Sequence, residues 1–144
     1  MAELVLIVRM AGRRVAIPAS EVEAVVELEG LTPAPRAAAH VAGLSALRSR
    51  VLTVIDAMAS LELGCSFGEG LIEAVVVNSG GHPYALLVDE VEDVIETDGA
   101  PLAVRAPIGA GWDRVAIGMI DAGSDLLLLV DPHLVIAGPA AQAA

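Results

Sequence analysis

The sequence predicts an all-β fold built as two small barrels packed side by side. Short runs of Val, Leu and Ile recur at regular spacing and are joined by Gly- and Pro-containing turns, with only a few helical turns between. That pattern belongs to barrel strands rather than to βαβ units. At 144 residues and 56% hydrophobic content, the chain is long enough for one compact core or for two small ones sharing a wall. A loop-like break over residues 64–70 splits it into roughly equal halves. The expected division is one domain over residues 1–144, with subdomains at 10–65 and 66–131 and a C-terminal helix and tail at 132–144.

The first hairpin is residues 4–10 and 15–17, turning at Gly12-Arg13-Arg14 and stopped by Pro18. Ser20 is placed to cap a short helical turn starting at Glu21, where early acids suit the helix dipole. Val25 and Val26 then lead into an extended segment ending at Gly30. Thr32-Pro33-Ala34-Pro35 is a connecting loop, because each Pro removes a donor and holds its predecessor extended. Val51 to Asp56 is a strand, and a short helix over 57–63 closes at Gly64.

The second half repeats this grammar. Strands over 71–77 and 84–88 flank Asn78-Ser79-Gly80-Gly81-His82-Pro83, a segment dense in turn residues. Residues 89–95 alternate acid and aliphatic side chains, which fits a one-sided helical turn or a half-buried strand. Residues 98–111 read as loop, and a last hairpin joins 115–120 to 126–130. Pro132 starts a helix to Ile136, Pro being suited to a first helical position, and 138–144 is a frayed tail.

Composition excludes several function classes. Phe67, Tyr84 and Trp112 are the only aromatic residues, so ring platforms that stack bases or grip sugars are missing. The formal charge of -11 repels a phosphate backbone or an anionic leaflet, and all eight basic residues are Arg. Partners are therefore expected to be neutral or basic protein, with no nucleic acid. The apolar runs fall far short of the about 20 residues that span a bilayer, so no membrane insertion is expected. The acidic start Met1-Ala2-Glu3 does not resemble a signal peptide, and the lone Cys65 fits a reducing cytoplasm.

Convergent polar chemistry is absent from the pattern. His40, His82 and His133 lie far apart and read as surface or loop residues, so no metal and no cofactor is expected. Gly80-Gly81 sits between two strands and is a turn rather than a phosphate cradle. No serine lies in a nucleophile-elbow context. Recognition remains, and Arg48 and Arg50 bracket Ser49 ahead of an apolar strand in a region of small residues. Guanidinium forks are favoured at protein interfaces, while an internal pairing with one of the many acids is the equal alternative.

Over nearly the whole chain the order of these blocks resembles the CheW family of chemosensory adaptors. The blocks are residues 12–18, Val22-Glu23-Ala24-Val25-Val26, Thr32-Pro33-Ala34-Pro35, residues 41–56, residues 85–94, and the closing pair 117–120 and 127–131. The resemblance implies two five-stranded SH3-like barrels with a groove between them and no enzymatic activity. It implies coupling of methyl-accepting chemotaxis receptors to the histidine kinase CheA, whose regulatory domain shares the fold, in the cytoplasm at membrane receptor arrays. The receptor's helical tip would lie in the groove as an amphipathic helix. Carried over, Gly43, Leu47, Arg48, Val51 and Val88 are the receptor-binding candidates, and the kinase-binding residues are not located. The family's Asn-Leu-Arg-Gly reads Ala46-Leu47-Arg48-Ser49 here, its Glu falls on Ala24 with Glu23 one place early, and its Pro and aromatic are Thr53 and Val15. These departures indicate a divergent paralogue, and a regulator of another signalling protein or small ligand is the alternative.

Overall fold

The computed structural model describes residues 3–33, 37–47, 49–64, 72–97, 101–104, 107–122 and 125–138. Strands β1 (Glu3–Met10) and β2 (Arg13–Pro18) form the first hairpin, and a 3-10 turn (Ala19–Glu21) leads to β3 (Ala24–Leu28). Next come β4 (Val41–Leu47), β5 (Arg50–Ile55) and helix α1 (Ala57–Ser60). Then follow β6 (Ile72–Ser79), β7 (His82–Leu87), β8 (Glu90–Thr97), α2 (Ala110–Val115), β9 (Ala116–Asp121), β10 (Leu126–Val130) and α3 (Pro132–Ala137).

Two five-stranded sheets result, ordered β8-β1-β2-β10-β9 and β3-β6-β7-β5-β4. The strands therefore group as 24–87 in one sheet and as 3–18 with 90–130 in the other, not at the expected boundary between residues 65 and 66. Both chain ends close one barrel because β1 needs cover on each face. Val5 and Ile7 enter one apolar cluster, while Leu6, Val8 and Met10 enter another. The same split recurs on β6, where Ala74 and Val76 fill the second barrel and Val75 and Val77 face the first. Each barrel thus has its own interior, and the largest core lies between them. Two-sided burial is why these strands read as continuous aliphatic runs rather than as alternation.

The barrels are internal repeats in permuted order. β3, β4, β5, β6 and β7 correspond to β8, β9, β10, β1 and β2, and the parallel pair β5–β7 matches β10–β2. The chain carries the match as Glu21-Val22-Glu23-Ala24-Val25 against Glu90-Val91-Glu92-Asp93-Val94. Gly43 and Gly118 are also equivalent, since a Cβ on either would meet a crossing backbone oxygen, Thr32 O at 2.6 Å or Leu102 O at 2.7 Å. Asp56 and Asp131 cap α1 and α3 through side-chain bonds to the Ala59 and His133 N–H groups.

Several local expectations shift. The turn expected from Ser20 begins two residues earlier, after Pro18, without a side-chain cap. The ambiguous acidic segment is strand β8, because its apolar alternates complete the β1 ladder. The expected loop at 98–111 contains the start of α2 at Ala110, with residues 98–100 and 105–106 outside the described residues. Trp112 on that helix is buried in the shared core and takes the Arg13 guanidinium over its ring at 5.4 Å from the centroid. Helix α1 ends at Ser60, short of the expected Leu63. Cys65, Phe67 and the tail from 139 onward lie outside the described residues.

Candidate functional site

The two barrels leave an open groove of about 480 Å³ lined by Val25, Val26, Glu27, Leu47, Glu73 and Val91. It arises because β3 and β8 are edge strands of different sheets that come together at the junction of the barrels. Glu73 on β6 fixes the junction. Its carboxylate accepts the Val91 N–H at 2.9 Å and its backbone oxygen accepts the Val88 N–H at 3.1 Å. An edge donor that would otherwise invite strand addition is thereby used within the molecule. A second depression, lined by residues that include Glu29, Gly30, Ser45 and Ala46, shares Glu27 and Leu47 with the groove, so the trough continues around β3.

Of the four receptor-binding candidates among the described residues, Leu47 alone lines the groove. Gly43 lies on β4 against the Thr32 backbone, where its lack of a side chain admits the crossing segment. Val51 is 62% exposed, but it pairs with Ala46 and so stands on the other face of the β4–β5 hairpin from Leu47. Val88 is buried in the shared core and presents no side-chain surface. Arg48 lies outside the described residues. Sequence alone does not single out Val25, Val26, Glu27, Glu73 or Val91. The available signal is the repeated Glu-Val-Glu-x-Val segment, which marks the two edge strands.

The motif departures acquire definite geometry. Ser49 takes φ of 70°, the left-handed conformation that favours glycine, so the turn keeps that shape with a side chain present. Glu23 accepts from the Arg50 guanidinium at 3.1 Å, so the displaced acid has its own cation.

Other polar groups serve the fold. His40, expected as a surface or loop residue, lies in the turn before β4 but is buried there, with Nε2 2.7 Å from the Ile136 oxygen and its ring against Gly138. His133 lies between Ser79 Oγ at 3.0 Å and Glu21 Oε2 at 2.6 Å, tying α3 to β6 and to the 3-10 turn. Neither histidine lines either depression. Arg114 donates to the Leu134 and Ser60 backbone oxygens, each at 2.7 Å, joining the last turns of α1 and α3. Burial pushes its guanidinium below the usual arginine range, with Glu62 acting in the opposite sense. Among the described residues, no group of three or more His, Cys, Asp or Glu is placed to hold a metal ion, and no helix is long and apolar enough to cross a membrane.

The comparisons agree with this architecture. The scaffolding protein TtCheW from Thermoanaerobacter tengcongensis superposes with a TM-score of 0.78 at 20% identity, over 94% of this chain and 92% of that one. At that identity the likeness establishes the fold. No curated protein sequence matches the chain. The CheW-like domain profile matches residues 4–139, nearly the whole length, and the chain therefore belongs to the CheW-like domain family.

Proposed function

We propose that this protein is a non-enzymatic adaptor in bacterial chemosensory signalling, coupling methyl-accepting chemotaxis receptors to the histidine kinase CheA. The observation that carries the reading is the groove at the barrel junction, lined by four aliphatic side chains and two glutamates, in a chain of the CheW-like family. Val25, Val26, Leu47 and Val91 offer a concave aliphatic surface of the kind that accepts the apolar stripe of a helix. Leu47 contacts the receptor tip directly, Arg48 anchors it, and Gly43 and Val51 hold or extend the β4–β5 hairpin beside it. Val88 acts from the core by holding the groove wall. The adaptor works in the cytoplasm at receptor arrays, where its bridging role needs surfaces and no bond chemistry.

Mixing the protein with a receptor signalling fragment and CheA tests the coupling. Co-sedimentation with a change in kinase activity is expected, and unchanged activity without co-sedimentation overturns the reading. Arg48→Ala is expected to weaken receptor binding by about 1–3 kcal/mol with the melting temperature retained. A lowered melting temperature with binding unchanged would instead make Arg48 a structural residue.

A second reading, a CheW-like regulator of another signalling protein, draws support from the Glu23–Arg50 pair and from the side chain at Ser49. Both alter the surface beside the groove relative to the family pattern. Binding of the purified protein to neither CheA nor the receptor fragment, with direct binding to another purified signalling domain, would favour it.

A further inference from the structure

The groove sets two carboxylates face to face. Glu27 on β3 and Glu73 on β6 are direct cross-strand partners, and both line the groove among aliphatic side chains. Like charges directly opposite each other destabilise a sheet. Glu73 is partly relieved by the Val91 N–H, whereas Glu27 has no side-chain hydrogen bond or ion pair among the described residues. Among the described residues, the neighbouring acid Glu23 already has Arg50, and Glu92 has Arg14 at 2.7 Å, so these two cations are committed elsewhere.

The internal repeat supplies a control. In the other barrel the residue equivalent to Glu27 is Glu96, and its cross-strand partner is Leu4. The fold therefore accepts an apolar residue where Glu73 stands, and the second carboxylate is not a requirement of the barrel. It is found only on the side where the groove opens.

Resting on the reading of this groove as the seat of a partner helix, we propose that the helix docking there carries an arginine or lysine within its apolar stripe, seated between Glu27 and Glu73. A cation at that point converts a repulsive pair into two charge-assisted contacts in a partly enclosed site. A purely apolar helix would leave both carboxylates facing it without compensation, and an acidic one would add a third like charge. The acid pair thus selects among amphipathic helices that the aliphatic lining alone would accept equally.

The test uses designed amphipathic helices of about 20 residues, identical except for one stripe position holding Arg, Gln or Glu, with the receptor signalling fragment measured in parallel. At low salt the Arg helix is expected to bind about tenfold tighter than the Gln helix, with the Glu helix weakest. The preference should fall with added salt and collapse in Glu27→Gln and in Glu73→Gln, whose amide oxygen still accepts the Val91 N–H. Both variants should melt no lower than the parent, since each removes a repulsion. Equal binding of all three helices alongside a bound receptor fragment overturns the charge selection and leaves the docking reading standing. Binding of neither the helices nor the fragment overturns both. A lowered melting temperature in Glu27→Gln means the chain already supplies a cation to the pair, and that also overturns the proposal.

Discussion

At the scale of single residues, backbone conformation and close approach explain substitutions that residue type alone misjudges. Ser49 holds a left-handed φ of 70° that costs a non-glycine residue about 1–2 kcal/mol. Part of that cost is offset because serine loses less chain entropy on folding than glycine. Ser49→Gly is therefore expected to raise stability by about 1 kcal/mol or slightly less, read as a shifted denaturation midpoint with an unchanged slope. Gly111 shows the opposite sign. Gly to Ala in a helix is ordinarily worth about 0.5–1 kcal/mol of gain, but a Cβ here would overlap the Leu61 backbone. Gly111→Ala is expected to cost about 1–3 kcal/mol through overpacking. Its neighbour Trp112 should report the displacement as a red-shifted emission, and an unshifted, stabilised variant would contradict the packing of α2 on α1.

At the scale of elements, pairing decided what periodicity left open. The segment Glu90 to Thr97 is compatible with a helical turn or a strand by pattern, and it is a strand because β1 offers a ladder for it. Most hairpins were legible from their turns. Gly80 and Gly81 have φ of 59° and 84°, as the two-residue turn between β6 and β7 requires, and the paired dipeptide signals it directly. Helix α2 was not legible, since Gly109 and Gly111 read as loop signals. Its six residues are held by Trp112 and Val115 in the shared core, with Gly111 allowing the close contact to Leu61. The candidate site divides in the same way. Leu47 is legible through the family motif, whereas Glu73 and Val91 meet Leu47 only because edge strands from two sheets converge.

At the scale of the whole molecule, the largest apolar core lies between the barrels, and it draws side chains from both sheets and all three described α-helices. Neither barrel has its full set of buried surfaces without the other, so unfolding is expected to be one cooperative transition. Trp112 fluorescence, at the barrel junction, and far-ultraviolet circular dichroism, across all strands, should give coincident denaturation curves. Separated midpoints would show that the barrels fold as independent units. The sequence by itself determined the all-β class, the positions of most hairpins, the absence of aromatic recognition surfaces and the acidic charge, because these depend on local turn chemistry and composition. The tertiary structure alone decided which strands share a sheet. Local patterning is blind to the pairing of β1 with β8 and of β2 with β10, which closes a barrel from the two ends of the chain. That closure also sets Glu73 beside Val91 and so makes the groove, a juxtaposition that follows from long-range packing and not from spacing along the chain.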